Sequence, residues 1–343
     1  MSHTNYPTRA ARLFRSELAV PGSQPKMFEK AARSAADAVF LDLEDAVAPD
    51  DKVAARANVV DALNGIDWGD KTVEVRVNGL DTAWTFRDVI EVVGRCPRLD
   101  LLIVPKVGVP ADLYAVDMLV TQVEMECSLE HARPRRTGLV ALIESALGVA
   151  NIDAIAGSAS SVAARLEGLT FGSGDFAAST GMRTTSIGGV SAGYGVLTDL
   201  ASASDSDDAT TRRFHWGDPW HAVHSRLVVA SRAYNLRPVD GPFADFRDSA
   251  GLLASARRAA ALGFEGKMCI HPSQIGPVNE VFSPREEEVA QARRILVAMA
   301  EAAHQGRGAV SLDGRMLDIV SIRQAEQLIA RAEAVHRRGA SIS

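Results

Sequence analysis

Eight charged residues stand out because each closes a run that is otherwise apolar. Asp42, Glu44 and Asp45 end Ala38-Val39-Phe40-Leu41, and Arg76 ends Thr72-Val73-Glu74-Val75. Lys106 follows Leu101-Leu102-Ile103-Val104-Pro105, and Glu144 follows Gly138 to Ile143. Asp175 comes late in Leu169 to Phe176, and His271 closes Lys267 to Ile270. A single charge in such a place is commonly the start of a solvated loop. Several consecutive runs ending this way point to a shared polar site, because a buried charge needs a partner. Glu144 and Asp175 come from consecutive runs and supply two hard oxygen ligands, the kind that suits Mg²⁺ or Mn²⁺ together with waters and substrate. Beside such an ion, the planar fork of Arg76 would bind a carboxylate or an oxygen that develops negative charge. No Ser-His or Cys-His pair accompanies them, so the set points to enolate or alkoxide chemistry. Lys106 is open to two readings, a Schiff-base lysine or one that binds phosphate or serves structure; a metal makes the first unnecessary. His215, His221 and His224 cluster around Trp216, Asp218, Pro219 and Trp220, in or just before a helix, and read as packing or capping groups.

The elements that must position these groups alternate along the chain. Strands are expected at Arg15–Val20, Ala38–Asp45, Thr72–Asn78, Leu99–Val107, Gly138–Ser145, Leu169–Phe176, Arg237–Phe243 and Lys267–His271. Helical spacing follows most of them: Lys52–Leu63, Thr85–Val93, Pro110–Glu130, Val149–Ala156, Trp220–Tyr234 and Ala250–Leu262. The near-continuous apolar character of Leu99–Val107 is that of a parallel strand covered on both faces. Eight such units with right-handed crossovers predict a (β/α)₈ TIM barrel over residues 1–283, with the chemistry at the carboxyl ends of its strands. An open doubly wound sheet would carry a Gly-x-Gly-x-x-Gly turn after its first strand, and none is present. Two regions fall outside the barrel pattern. Residues 199–213 are rich in Ser, Asp, Ala and Thr and predict a mobile insertion. Residues 284–343 form a C-terminal helical extension, with helices at Pro284–Ala303 and Ser321–Arg337 around a turn at Asp313-Gly314. That arm is too small to bury much by itself, so it must pack on the barrel or on a partner subunit.

Composition excludes several classes. The chain has 343 residues, with 37 Lys and Arg against 43 Asp and Glu, a net charge of −6. A net acidic chain without a basic run is a poor nucleic-acid ligand. The longest uncharged stretch, Thr184 to Thr198, is too short and polar to span a bilayer, and the amino terminus lacks the apolar core of a signal peptide. Cys96, Cys127 and Cys269 are few, odd in number and widely spaced, so the expected compartment is the cytoplasm.

The motifs as a set resemble the citrate-lyase β-subunit-like family of metal-dependent acyl-CoA lyases, and within it the lyases acting on L-malyl-CoA and β-methylmalyl-CoA. The matching segments are Arg15-Ser16-Glu17-Leu18 with Val20-Pro21-Gly22-Ser23, Leu41 to Val47, Val75 to Asp81, and Val104-Pro105-Lys106-Val107. They continue through Ile143-Glu144-Ser145-Ala146, Gly174 to Ser179, Gly181 to Thr185, Asp240-Gly241-Pro242-Phe243, Ile270 to Gln274 and Asp313 to Asp318. The insertion and the residues before Arg12 have no counterpart.

The resemblance implies a Mg²⁺-dependent, reversible cleavage of L-malyl-CoA or β-methylmalyl-CoA to acetyl-CoA or propionyl-CoA plus glyoxylate. It implies Mg²⁺ on Glu144 and Asp175, Arg76 at the carbonyl or alkoxide oxygen, and Glu44 and Asp45 around the metal's waters. Asp318, delivered by a neighbouring subunit of a homotrimer or homohexamer, would be the general acid and base. Coenzyme A would draw on Ser23, Lys30, Lys106 and Lys267. A citramalyl-CoA lyase using pyruvate and an (S)-malyl-CoA thioesterase are the neighbouring activities. The intact set of Arg76, Glu144, Asp175 and Asp318 argues against a barrel reduced to metabolite sensing. The C-terminal extension argues against a citrate lyase subunit serving a carrier protein.

Overall fold

The computed structural model describes residues 12–131, 136–184, 186–191, 193–194, 196–197, 214–215 and 217–342. The insertion at 199–213, Trp216 and the arm before Arg12 lie outside the described residues. Eight parallel strands close a barrel: β1 (Ser16–Pro21), β2 (Ala38–Asp42), β3 (Thr72–Arg76), β4 (Leu101–Val104), β5 (Gly138–Ile143), β6 (Leu166–Phe171), β9 (Arg237–Asp240) and β10 (Gly266–Cys269). A two-residue antiparallel ladder, β7 (Val196–Leu197) with β8 (Phe214–His215), lies in the long connection between β6 and β9. Around the ring the order is β1-β10-β9-β6-β5-β4-β3-β2, so β1 pairs with both its successor and the last strand.

The helices are α1 (Phe28–Ala32), α2 (Lys52–Gly65), α3 (Thr85–Arg95), α4 (Pro110–His131), α5 (Ala146–Ala150), α6 (Ile152–Gly157), α7 (Ser173–Thr180), α8 (His221–Ala233), α9 (Ser249–Leu262) and α10 (Ile275–Phe282). None of the described helices is long and apolar enough to cross a membrane. Their starts are chemically marked. Pro110 opens α4, and the Asp112 carboxylate accepts from the N–H groups of Gly108 (2.8 Å) and Val109 (3.0 Å). Asp248 caps α9 by accepting from Gly251 N at 2.8 Å.

Side chains alternate across each strand, so one set fills the barrel and the other packs against the helices. Phe14, Ala38, Phe40, Leu101, Ile103, Val140, Leu142, Val239 and Met268 form the interior cluster. Glu17 and Glu74 share that interior by register, since Glu17 pairs with Ala38 and Phe40 with Glu74; both are buried. Val39, Leu41, Val73, Val75 and Leu102 are also buried, which accounts for strands apolar at almost every position.

Two elements differ from the sequence expectation. The helix expected over Val149–Ala156 is two short ones, α5 and α6, broken at Asn151, whose side-chain amide donates to Gly108 O and Leu147 O at 3.0 Å each. The sixth strand runs Leu166–Phe171 instead of Leu169–Phe176, and the chain turns at Gly172 into α7. Asp175 therefore sits in the first turn of a helix, not on a strand.

The chain divides into two compact units between Val278 and Asn279. The second holds α11 (Glu286–His304), a hairpin of β11 (Val310–Leu312) and β12 (Arg315–Leu317), and α12 (Ile319–Ile342). Asp313 and Gly314 turn the hairpin at φ 52° and 76°, both left-handed as a two-residue turn of this type requires. Arg294 of α11 pairs with Asp313 at 2.8 Å.

Candidate active site

The parallel register sets Asp42 beside Arg76 at the carboxyl ends of β2 and β3. Arg76 donates from Nε and Nη2 to the two oxygens of Asp42, both at 2.7 Å. The same carboxylate accepts from Glu44 N (2.9 Å) and Ala46 N (3.1 Å), so four donors fix it. Burial works to raise the Asp42 pKa, but the Arg76 bonds and charge, with the two N–H groups, outweigh it and hold it below the ordinary value. Burial likewise opposes the Arg76 charge, and Asp42 overrides it, so the guanidinium stays ionised. The third nitrogen, Nη1, lies 3.0 Å from Glu44 Oε2. That buried oxygen nevertheless has no hydrogen-bond partner, so the approach is close in distance and wrong in angle.

Lys106 stands at the end of β4 with φ 55°. Its backbone N–H donates to Glu144 Oε1 at 2.8 Å, and its Nζ donates to Glu44 Oε1 at 2.6 Å and to Asp45 Oδ1 at 3.4 Å. Burial works against this ammonium, but Glu44 and Asp45 outweigh it and hold its pKa above the usual lysine value, the opposite of what a Schiff-base nucleophile needs. Glu144, at the end of β5, is 2% exposed. Burial first, then the charge of Asp175, pushes its pKa up to about 8. Room for Glu144 comes from Gly172, where an added Cβ would fall onto the Glu144 carboxylate and its Cβ. Glu44 is also raised, by burial above all, with Arg76 and Lys106 pulling the other way.

The mouth thus gathers Asp42, Glu44, Asp45, Arg76, Lys106, Glu144 and Asp175. The other expected residues lie on further elements. Ser23 is half-buried in the turn after β1 and Lys30 exposed on α1. Asp318 belongs to the second unit, where its Oδ1 accepts from Val320 N (2.9 Å) at the start of α12. His271 is exposed, with its ring stacked on Phe246 at 4.8 Å. Lys267 corrects the coenzyme A assignment. It is 1% exposed, and its Nζ donates to Asp240 Oδ2 at 2.5 Å. Its neighbour Met268 faces the barrel interior, so Lys267 faces the helices, where His224 lies 3.3 Å from Asp240. A lysine committed in this way cannot reach a phosphate. His224 is a packing group, edge-on to Phe171 (5.0 Å) and Phe264 (5.1 Å).

Two contributors escaped the sequence reading. Lys52, buried on α2, donates from Nζ to the carbonyls of Leu43 and Glu44, both at 2.8 Å, and so pins the loop that carries Glu44 and Asp45. Nothing in the sequence marks it, because it opens a helix and does not close a strand. Gly172 had a signal in Gly172-Ser173-Gly174-Asp175, where two glycines sit badly in a strand interior.

No group of three or more His, Cys, Asp or Glu side chains able to cage a metal exists among the described residues. The fit is instead that of Mg²⁺, which takes one or two carboxylates and keeps waters and substrate in its remaining positions. Glu144 and Asp175 have that donor chemistry, and the repulsion between buried Glu144 and its half-buried neighbour Asp175 is what a divalent cation relieves.

A closed parallel barrel whose strand ends hold carboxylates around a fixed arginine defines an α/β-barrel enzyme of the metal-assisted kind. Residues 15–272 match the model of the HpcH/HpaI aldolase/citrate lyase family. The chain belongs to that family and is a carbon–carbon lyase. It is 46% identical over 336 residues to the L-malyl-CoA/β-methylmalyl-CoA lyase of Cereibacter sphaeroides, covering 98% of this chain and 99% of the relative. It is 47% identical over 334 residues to the enzyme of the same name from Rhodobacter capsulatus, covering 97% and 99%. Among solved structures, the CitE protein of Mycobacterium tuberculosis in complex with magnesium, acetoacetate and coenzyme A is 30% identical with a TM-score of 0.67, over 94% of this chain and 98% of that one.

Proposed function

We propose that this protein is a Mg²⁺-dependent L-malyl-CoA/β-methylmalyl-CoA lyase, forming and cleaving the bond between glyoxylate and the α-carbon of acetyl-CoA or propionyl-CoA. The observation that carries the reading is the pairing of Glu144 with Asp175 beside an Arg76 already saturated on two of its nitrogens by Asp42. Glu144 and Asp175 hold the ion. When bound, it polarises the oxygen that alternates between hydroxyl and carbonyl and neutralises the adjacent carboxylate. Arg76 points its remaining nitrogen at that oxygen and offsets its developing charge in a pocket poor in water. Lys106 holds the buried Glu44 and the exposed Asp45, and Asp45 faces the water around the site. Asp318 of a neighbouring copy moves the proton to and from the thioester α-carbon, which requires an oligomer, here a homotrimer or homohexamer, and makes the C-terminal segment an exchanged arm. Ser23 and Lys30 flank the path of the coenzyme A moiety. Three buried cysteines, Cys96, Cys127 and Cys269, fit a reducing compartment such as the cytoplasm.

The test is an assay of purified protein with acetyl-CoA or propionyl-CoA, each with glyoxylate or pyruvate, with Mg²⁺ and with EDTA, the thioester products being identified by mass. Malyl-CoA and β-methylmalyl-CoA are expected, with Mg²⁺ only and with Glu144→Ala inactive. Faster product from pyruvate would make the protein a citramalyl-CoA lyase. Release of coenzyme A without condensation in any mixture would make it a thioesterase.

A further inference from the structure

Among the described residues, three that are not glycine have a left-handed backbone: Lys106, Asn235 and Asp313. Asn and Asp tolerate that conformation through their short polar side chains, and lysine has no such means. A glycine at 106 would take φ 55° without strain and would keep the N–H that holds Glu144. What the position gains from lysine is therefore the ammonium. That group makes one short contact, to Glu44 Oε1 at 2.6 Å, and a longer one to Asp45 at 3.4 Å.

Glu44 is 4% exposed, so water cannot take the place of a lost partner. Its other oxygen, Oε2, already lies 3.0 Å from Arg76 Nη1 without a hydrogen bond. Nε and Nη2 of the same guanidinium are committed to Asp42. We infer that Lys106 is a positioning residue: by engaging Glu44, it keeps that carboxylate from closing on Arg76 Nη1, and so reserves this nitrogen for the substrate oxygen. The inference rests on the lyase reading above, and it replaces both the phosphate and the Schiff-base roles open to Lys106 in the sequence. The left-handed turn serves both ends of the arrangement, since one residue orients Glu144 through its backbone and restrains Glu44 through its side chain.

The test is a suppressor comparison of wild type, Lys106→Met, Glu44→Gln and the double variant, with Lys106→Arg as the conservative change. Glyoxylate binding to the Mg²⁺-loaded protein is followed calorimetrically, Mn²⁺ binding by electron paramagnetic resonance, and folding by melting temperature. Lys106→Met should weaken glyoxylate binding by about tenfold or more, the effect of one charge-assisted hydrogen bond, while Mn²⁺ binding stays within about threefold. Removing the competitor should undo the loss: Lys106→Met/Glu44→Gln should bind glyoxylate within about threefold of Glu44→Gln alone, and Lys106→Arg should bind it close to wild type. Should Lys106→Met melt early, Lys106→Gly, which needs no strained backbone, takes its place in the comparison. Equal glyoxylate affinity in wild type and the lysine variant overturns the inference. So does a double variant no better than the single one, or a loss of Mn²⁺ affinity that matches the loss of glyoxylate affinity. Wild type that binds glyoxylate but makes no carbon–carbon bond sinks the lyase reading and leaves this comparison legible. Wild type that binds no glyoxylate sinks both.

Discussion

Replacing Asp42 with alanine strips a buried guanidinium of its main partner. Asp42 is 2% exposed and takes two hydrogen bonds from Arg76 at 2.7 Å, besides those from the backbone of Glu44 and Ala46. Two charge-assisted bonds at about 1.5–3 kcal/mol each amount to about 3–6 kcal/mol. This agrees with the ~3–5 kcal/mol lost when one member of a buried pair is removed. Denaturant titration of Asp42→Ala should therefore show a fall of about 3–5 kcal/mol in unfolding free energy. Activity should fall further than stability alone explains, because Arg76 loses its aim; a drop in kcat of about 10²–10³ is the scale for misplacing a donor to a developing oxyanion. The pH dependence has a definite sign. The native Asp42 pKa lies below its ordinary value of 3.8, so its contribution is present above that value and is lost only as pH falls through the lower native one. The gap between wild type and variant should thus persist through mildly acidic buffer and close in strong acid. A loss under about 1 kcal/mol with near-normal kcat would place the pair with ordinary surface ion pairs and refute the argument.

Two further outcomes are expected. Glu74, buried inside the barrel near Glu17, has its pKa raised well above 4.5, by burial first and then by the charge of Glu17. Its contribution is thus fully present below the unfolded pKa and lost as pH rises through the native one, so wild-type stability should decline toward alkaline pH and that of Glu74→Gln should decline less; parallel denaturation curves for the two between about pH 5 and pH 9 would contradict this. Lys267→Met leaves Asp240 buried beside His224 and should cost about 3–5 kcal/mol of stability without changing KM for the acyl-CoA, whereas a raised KM with unchanged stability would return the lysine to the coenzyme A site.

The barrel was legible because strands covered on both faces leave an apolar run that few other structures need, and because the charges ending those runs have no business in a core. The sixth strand differs from expectation at both ends: Phe176 extends the apolar pattern past Gly172, and the need for a glycine there comes from Glu144 on the neighbouring strand, which a Cβ at 172 would strike. Lys267 was misassigned for a related reason. Charge can be read along a chain, but the face of a strand on which it lies depends on register, here Lys267 opposite Asp240. Lys52 and the Asp42–Arg76 fork depend on pairings between separate elements, which one sequence does not display. Asp175, by contrast, still reaches the mouth from the first turn of α7, because it lies just past the end of the strand.

The seam of the ring has a consequence for how the protein is made. β1 pairs with β10, Ser16 opposite Lys267, so the first strand waits on one edge until about 250 further residues have left the ribosome. Until then a growing sheet with two open edges holds Asp42, Arg76 and Glu144 on strands that nothing yet forces into a circle, and its apolar edges are open to wrong partners. A pause that leaves Gly266–Cys269 still inside the ribosome would therefore be more hazardous than one after they have emerged, when the chain can zip shut.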